Sequence, residues 1–159
     1  MNALFLKDLA AKVRRGQRGR VQAGQMPGGR IYGYRPLRRI GDDGELVRGL
    51  REIVPEEAAI VREVFARYTA GESVRALAHD LNRRGVAGPN GGAWTVNTIH
   101  GHGGRQHGLL AQPVYAGFLV WNKQTFVKDP RTGKRVPRPV PPADWLVADR
   151  PDLQLVDRD

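Results

Sequence analysis

The sequence contains no cysteine and only one serine, Ser73. The absence of cysteine excludes disulfide bonds, a zinc ribbon and a thiol nucleophile, and it leaves the redox compartment open. No apolar run approaches the roughly 18 residues that a membrane-spanning helix needs, and no signal-peptide pattern is present. We therefore expect a soluble, cytoplasmic chain without a membrane partner.

Acidic residues are also missing from the stretch between Lys12 and Arg39, which contains nine basic residues. The nine are Lys12, Arg14, Arg15, Arg18, Arg20, Arg30, Arg35, Arg38 and Arg39. Most basic residues of the chain are arginine, whose planar group suits phosphate and guanine and enters narrow minor grooves. This stretch, in a chain of net charge +10, predicts a polyanionic partner, and duplex DNA above all. The alternative is a solvated basic arm that only aids solubility.

The length of 159 residues fits one domain with an appendage. Periodicity predicts a helix over residues 2–23 with an apolar stripe, and we expect it to fray at Gly16 and Gly19. An extended connector over residues 24–33 follows. The stripe is formed by Phe5, Leu6, Leu9 and Val13. This stripe is expected to pack against the rest of this chain, a second copy of it, or a segment that is absent here.

Turn residues 41–44 between two apolar runs, 37–40 and 46–50, predict a β-hairpin. Pro55 followed by two glutamates predicts the start of a helix that ends at Gly71. Ser73 is a predicted N-cap of a second helix that runs through Arg84 and stops at Gly85. A glycine-rich loop then leads to a short third helix over residues 95–100.

The C-terminal third predicts a strand over residues 118–121, with residues 125–128 returning beside it. Residues 129–143, rich in proline and arginine, are expected to form a loop, and residues 145–147 a last short strand. The tryptophans, Trp94, Trp121 and Trp145, are expected in the core or at its edge. The fold class is α+β and mainly helical, with a three-helix, helix-turn-helix-like core and small β-hairpins and strands.

In helix-turn-helix modules the last helix enters the major groove and the helix before it braces on the backbone. The third helix here exposes side chains that can hydrogen-bond base edges or phosphates. They are Thr95, Asn97, Thr98 and His100. The loop before this helix is long for such a module.

Two further groups of residues have more than one interpretation. Tyr32 and Tyr34 lie in the basic stretch, where they can stack on sugars or bases, or anchor the connector to the core. His100, His102 and His107 are spaced like metal ligands, but no cysteine, aspartate or glutamate lies near them, so contact with phosphate or a plain polar loop is favoured.

Three stretches together carry a family resemblance. They are KDLAAKVRRGQRGRVQAGQMPGGRIYGYR, PEEAAIVREVFARYTAGESVRALAHDLNRRGV, and Trp94 followed by GLLAQPVYAGFLVWNK. Over about residues 2–123, and weakly over 144–156, the chain resembles the large serine recombinases. In that family a catalytic domain with a nucleophilic serine ends in a long helix for dimerisation and DNA contact. A "recombinase" DNA-binding domain follows, and then often a zinc ribbon with a coiled coil.

The resemblance divides the chain into the end of the long helix (1–23), a basic connector (24–33), the recombinase domain (34–150) and a tail toward a missing downstream domain (151–159). Ser73 is predicted to be a helix cap, so the resemblance implies that the nucleophilic serine domain is missing and that this chain is not an enzyme by itself. The zinc ribbon is missing too, since there is no cysteine.

The predicted function is sequence-specific DNA binding within a site-specific serine recombinase of a bacterium or phage. The implied partners are a double-stranded attachment or resolution site, the missing catalytic domain, and further copies in a dimer or tetramer. No cofactor, metal or catalytic residue is predicted. The candidate DNA-binding residues are Lys12, Arg14, Arg15, Arg18, Arg20, Arg30, Tyr32, Arg35, Arg38, Thr95, Asn97, Thr98, His100 and Arg105. The alternative is a protein-interaction module with only non-specific affinity for nucleic acid.

Overall fold

Helices and short strands follow one another along the chain in a computed structural model that describes residues 3–102 and 107–158. Within those residues the helices are α1 (Ala3–Gln22), α2 (Pro55–Thr69), α3 (Val74–Arg83) and α4 (Val96–His100). None of the described helices is both long and apolar enough to span a bilayer.

The described strands form antiparallel pairs of two. The pairs are β1 (Tyr34–Pro36) with β4 (Arg51–Ile53), β2 (Arg39–Ile40) with β3 (Leu46–Val47), β5 (Phe118–Trp121) with β8 (Leu146–Asp149), and β6 (Gln124–Lys128) with β7 (Arg135–Pro139). Helices and small antiparallel sheets thus confirm the predicted α+β class.

Helix α1 runs through Gly16 and Gly19 without interruption, so the prediction of fraying there is wrong. The helix is fixed at its C-terminal end, where the side chain of Val21 is fully buried. Gly24, with a φ of +71°, ends the helix, and its amide donates to the carbonyl of Val21 over 2.9 Å. Burial at this end offsets the cost of the two glycines, about 1 kcal/mol each.

The first hairpin is longer than predicted and anchors the connector. The expected pairing of residues 37–40 with 46–50 is confirmed by β2 and β3, and β1 and β4 extend it. Between the two pairs the returning chain contains one extra residue, in a bulge that includes Gly49 with a φ of +82°. The carbonyl of Gly49 accepts from the amide of Met26 over 2.8 Å. A Cβ on Gly49 would lie 2.6 Å from the carbonyl oxygen of Met26, so glycine is needed for this contact.

The predicted start and stop signals of α2, α3 and α4 are confirmed. Pro55 occupies the first position of α2, where an amide would have no partner within the helix. The hydroxyl of Ser73 accepts from the amide of Ala76 over 3.2 Å and so caps α3. Gly85, with a φ of +71°, follows the last turn of α3.

Two predictions for the C-terminal third are wrong. The strand β5 pairs with β8 and not with residues 125–128, because Leu119 of β5 and Ala148 of β8 pack together against the core. The expected loop at 129–143 contains the strand β7. Pro137 and Pro139 lie two residues apart, so both missing amides face the same edge of β7, while the other edge pairs with β6. The last predicted strand is confirmed as β8.

The core joins the connector, α2, α3 and the C-terminal segment around Tyr115. The hydroxyl of Tyr115 donates to the carbonyl of Tyr32 over 2.7 Å, and that of Tyr34 donates to the carbonyl of Leu153 over 2.5 Å. The amide of Leu155 donates to the carbonyl of Tyr115 over 2.8 Å. Other fully buried side chains are Val61, Val64, Leu77, Leu81 and Ile99. Residues before 34 and after 150 thus pack into the same core, and the predicted domain boundaries stay a prediction.

Candidate nucleic-acid interface

The basic residues of the described chain fall into two groups, those paired with a carboxylate and those that are not. In the folded body, Arg84 lies 2.5 Å from Glu63 and Arg150 lies 2.7 Å from Asp152. Within the described residues, no ion pair is formed by Lys12, Arg14, Arg15, Arg18, Arg20, Arg38 or Arg39. The shortage of acidic residues in the basic stretch therefore leaves a concentrated positive charge on α1 and the start of the first hairpin.

Helix α1 uses its cations in two ways. Its exposed cations without a side-chain hydrogen bond or ion pair in the described structure are Lys7, Lys12, Arg15 and Arg18. Arg14 turns toward the β5–β8 pair, where its Nη2 donates to Oδ1 of Asn122 over 2.7 Å and its guanidinium lies 5.9 Å from the ring centre of Trp121. Arg20 donates to the carbonyl of Pro27 over 3.5 Å and remains exposed. Arg14 thus fixes the helix, whereas the others face solvent.

The arginines of the connector and first hairpin are partly engaged. Arg30 lies 3.6 Å from Glu57, and Arg35 lies 2.5 Å from Glu52, the residue opposite it in the β1–β4 pair. Both side chains are still more than half exposed. Exposed pairs of this kind contribute little to stability, so a phosphate can replace the carboxylate at small cost. Arg38 is exposed.

Tyr32 belongs to the core and not to the surface. Its side chain is 8% exposed, its hydroxyl donates to the carbonyl of Ala87 over 3.2 Å, and its ring meets that of Trp94 edge-to-face at 5.1 Å. Burial, and then the charge of Glu57, raises the pKa of Tyr32 to about 12. This geometry supports the anchoring interpretation of Tyr32, since stacking on a base would require the ring to leave the core.

Helix α4 presents a short polar face above one buried side chain. Thr95 caps the helix: its Oγ1 accepts from the amide of Thr98 over 3.1 Å and lies 2.8 Å from the Thr98 hydroxyl. Ile99 is fully buried and points into the core. Asn97 and His100 are exposed and make no hydrogen bond to other described side chains. They are the α4 side chains most available to a partner.

Asn82, a residue that the sequence patterns did not single out, helps to fix the position of α4. The side-chain amide of Asn82 donates to the carbonyl of Trp94 over 2.8 Å and accepts from its backbone amide over 2.8 Å. Nε1 of Trp94 donates to the carbonyl of Val86 over 3.1 Å. These three bonds connect the end of α3 to the residue just before the cap of α4. An asparagine within a predicted helix, three residues before its stop at Gly85, was the only signal in the sequence.

The comparisons with known proteins add the family. The sequence model of the Recombinase family matches residues 55–159, about two thirds of the chain. The chain belongs to the Recombinase family. This confirms the resemblance to the serine recombinases and assigns the chain to site-specific recombination. The search of curated proteins and the search of solved structures found no match.

The Recombinase match includes α2, α3 and α4 but begins after α1, the connector and the first hairpin. The basic stretch therefore lies outside the matched segment, whereas the candidate residues of α4 lie inside it. In three dimensions the two parts touch, because Tyr32 of the connector packs on Trp94 beside α4.

Within the Recombinase segment an ionic cluster joins α2 to α3. Arg67 lies 2.6 Å from Glu72, 2.8 Å from Asp80 and 2.8 Å from Glu63. Hydrogen bonds from Arg84 and Arg67 lower the pKa of Glu63, and those from Arg83, Arg67 and Arg84 lower the pKa of Asp80. The cluster neutralises its own arginines, so its role is to hold the helices together.

The three spaced histidines do not form a metal site within the described residues. His100, His102 and His107 are exposed, and no three ligand residues in the described ranges lie close enough to hold a metal ion. Arg105 lies outside the described residues.

Proposed function

We propose that this chain is the DNA-binding part of a site-specific serine recombinase and that it binds double-stranded DNA. The observation that carries the proposal is the row of exposed cations along α1, none of which forms an ion pair within the described residues. Unpaired cations on a folded surface release counterions from phosphates without first breaking an internal ion pair.

In this proposal the cations contact the backbone and the minor groove. Lys12, Arg15 and Arg18 lie along α1, a helix of about 30 Å that is long enough to cross several phosphates. Arg20 precedes the connector and Arg30 lies within it, and the glycines of the connector allow its backbone to approach the duplex closely. Arg35 and Arg38 continue the contact at the first hairpin.

In this proposal α4 recognises the DNA sequence. We infer a helix-turn-helix-like unit of α2, α3 and α4, in which Asn97 and His100 face base edges in the major groove. Thr95 and Thr98 hold the first turn of α4 and offer their hydroxyls to the adjacent phosphate. The support for this assignment is the combination of an exposed polar face with the bonds from Asn82 that fix the helix to its neighbour.

The chain would act on DNA only together with a catalytic domain, in a dimer or tetramer in the cytoplasm. The side chain of Ser73, the only serine, is engaged as the cap of α3. A nucleophilic serine in this family attacks a phosphodiester, and a capping hydroxyl that accepts from a helix amide is poorly placed for that role. Incubation of the chain with supercoiled plasmid should give neither nicked nor linear product.

The test is a salt titration of binding to duplex DNA. The wild-type chain is measured by fluorescence anisotropy on a random 40-mer pool and on sequences enriched from that pool. With about six phosphate contacts, log K should fall with log salt at a slope of roughly −5. Arg18→Gln with Arg20→Gln should reduce the steepness by about 2, because two contacts are lost. An unchanged slope would show that these arginines do not contact DNA.

Sequence reading is tested separately. Asn97→Ala with His100→Ala should lower the affinity for the enriched duplex toward that for the random pool and leave the salt slope unchanged. Equal binding of all duplexes by the wild-type chain would limit the function to non-specific DNA affinity.

A second candidate function is protein interaction, because the N-terminal half of α1 exposes a large apolar surface. About half of each side chain of Phe5, Leu6, Leu9 and Val13 is exposed. Sedimentation velocity distinguishes the two: a concentration-dependent dimer with no affinity for duplex DNA would favour the interaction module.

A further inference from the structure

The hairpin of β6 and β7 is strongly basic, and neither the basic stretch nor α4 includes it. Between residues 123 and 138 there are six basic residues and one acidic residue, Asp129. The basic ones are Lys123, Lys128, Arg131, Lys134, Arg135 and Arg138, and all except Lys123 are exposed. Within the described residues none of the six forms an ion pair.

The one carboxylate of this hairpin is used to shape its turn. Asp129 accepts from the amide of Arg131 over 2.8 Å and from the hydroxyl of Thr132 over 3.1 Å. Its backbone amide donates to the carbonyl of Lys134 over 2.8 Å, and its carbonyl accepts from the amide of Gly133 over 2.8 Å. The backbone and the side chains of Asp129 and Thr132 thus fix the turn, and the side chains of Arg131 and Lys134 take no part in it in the described structure.

The strand register adds an electrostatic cost. Lys128 lies directly opposite Arg135, and opposed residues of an antiparallel pair place their side chains on the same face. Like charges in this position destabilise a strand pair. An anion between them would remove that cost, so the register itself favours a bound polyanion.

The hairpin lies outside the buried core, and its one ring contact among the described residues is internal, with the guanidinium of Arg135 5.2 Å from the ring centre of Phe126. Phe126 is 49% exposed and Val127 is 51% exposed, and no described residue of β6 or β7 belongs to the buried core. The outer edge of β7 contains Pro137 and Pro139, which block the addition of a further strand there. A two-stranded ribbon of this kind has a width that the major groove of duplex DNA admits.

The first hairpin has the opposite charge at its turn. Asp42, Asp43 and Glu45 lie at the tip between β2 and β3, so a basic tip is not a general feature of the turns in this chain. The acidic tip would be repelled by phosphates and therefore has to point away from a bound duplex.

We propose that the β6–β7 hairpin is a second DNA-contacting arm, in which Lys128, Arg131 and Lys134 bind backbone phosphates of the duplex. The proposal rests on the proposed function, because it requires that the chain binds duplex DNA. It adds a contact outside the basic stretch and outside α4. Removal of this arm weakens binding to all sequences alike, since phosphate contacts carry no sequence information.

The first experiment compares salt slopes for the full chain on the random 40-mer pool. Arg131→Gln with Lys134→Gln should make the slope shallower by about 2 and leave the thermal unfolding curve unchanged, since the turn is held by the backbone and Asp129. The matched control, Arg48→Gln with Arg75→Gln, removes the same charge from two exposed arginines outside the proposed contacts and should leave the slope unchanged.

The outcomes separate this proposal from the proposed function. If the hairpin variant binds like wild type while Arg18→Gln with Arg20→Gln lowers the slope, the arm is excluded and DNA binding stands. If the hairpin variant and the control lower the slope equally, the effect is one of net charge and the arm is again excluded. A wild-type chain that binds no duplex at low salt overturns both proposals.

A second measurement locates the arm directly. Because the chain has no cysteine, Pro130→Cys, at an exposed position of the turn, introduces a single thiol to which an iron chelate can be attached. Hydroxyl radicals from this position should cut the bound duplex at a defined place, whereas the same chelate on Asp42→Cys, in the acidic tip, should give no cut. Absence of cutting from position 130, with DNA bound, would contradict the proposed contact.

Discussion

At the scale of single residues, Asn82 joins α3 to the residue before the cap of α4 through both the nitrogen and the oxygen of its side-chain amide. Removal of the side chain leaves the amide and the carbonyl of Trp94 without these partners. Nothing else in the described structure bonds to these two groups, so both lose their partner when this side chain is removed.

We therefore predict that Asn82→Ala lowers the free energy of unfolding by about 2 kcal/mol, which corresponds to a fall of roughly 4–8 °C in Tm. The ratio of affinities for enriched and random duplexes should fall as well, while the salt slope stays unchanged, because the cations that neutralise phosphates lie outside α4. Thermal melting and the two DNA titrations measure this.

Asn82→Asp is the graded control, since aspartate still accepts from the Trp94 amide but cannot donate to its carbonyl. It should give an intermediate loss of stability and of sequence discrimination. Full discrimination by Asn82→Ala, despite a lower Tm, would show that α4 is positioned by other contacts.

The residue-scale roles that could be read from the sequence were those with a local cause. Ser73, Pro55 and Gly85 act through the helix ends next to them, so their roles are confirmed. The role of Asn82 depends on its hydrogen bonds to the backbone of Trp94. Trp94 lies beyond the loop at residues 85–92, so no local pattern reveals the contact. The burial of Tyr32 likewise depends on the distant Trp94, and the sequence left its two interpretations open.

At the scale of elements, α2 and α3 are joined by a cluster of carboxylates and arginines whose charge state depends on pH. The arginines hold the pKa of Glu63, Glu72 and Asp80 below the usual values near 4.5 for glutamate and 3.8 for aspartate. The folded state therefore binds these protons less tightly than the unfolded state. The stabilisation is complete above about pH 5 and is lost as pH falls through the lower folded-state pKa values.

We predict that Tm is constant between pH 7 and 5 and declines below about pH 4.5. Arg67→Gln should lower Tm by several degrees at pH 7, and the difference from wild type should shrink toward pH 2, where the carboxylates are neutral. Circular dichroism melts across this range provide the measurement. The matched control is Arg83→Gln, which removes one arginine that contacts only Asp80 and is largely exposed, so its effect should be smaller. Parallel curves for Arg67→Gln and wild type down to pH 2 would contradict the assigned role of the cluster.

Elements with a strong local pattern were predictable, and elements that depend on pairing were not. The positions of α2, α3 and α4 follow from their caps and apolar spacing. The strand β7 was not predicted because Pro137 and Pro139 lack amide hydrogens and so argue against a strand. Both face the edge of β7 that is not paired with β6, and this can be known only once the partner strand is known. In the same way, the choice of β8 as the partner of β5 depends on the burial of Leu119 and Ala148, which no local pattern encodes.

At the scale of the whole molecule, three tyrosines connect the connector, the segment before β5 and the C-terminal residues into one core. Tyr32, Tyr34 and Tyr115 are each less than a tenth exposed, and the rings of Tyr34 and Tyr115 stack at 5.9 Å. The hydroxyls of all three donate to backbone carbonyls of distant segments. Loss of any one of these contacts should therefore lower the stability of the whole core and not of one segment alone.

Burial raises the pKa of all three tyrosines above the usual value of 10.0, to about 12 for Tyr32. A raised folded-state pKa gives stability that is complete below about pH 10 and is lost as pH rises above it. We predict that, in a Tyr68→Phe background that leaves only these tyrosines, the absorbance of tyrosinate at 295 nm and the loss of near-UV circular dichroism occur together in one alkaline transition.

Tyr115→Phe should lower the free energy of unfolding at pH 7 by about 2 kcal/mol, because the carbonyl of Tyr32 loses its donor, and should make the alkaline decline less steep. Ionisation of the tyrosines one after another in a chain that keeps its circular dichroism would show that the connector opens independently of the core.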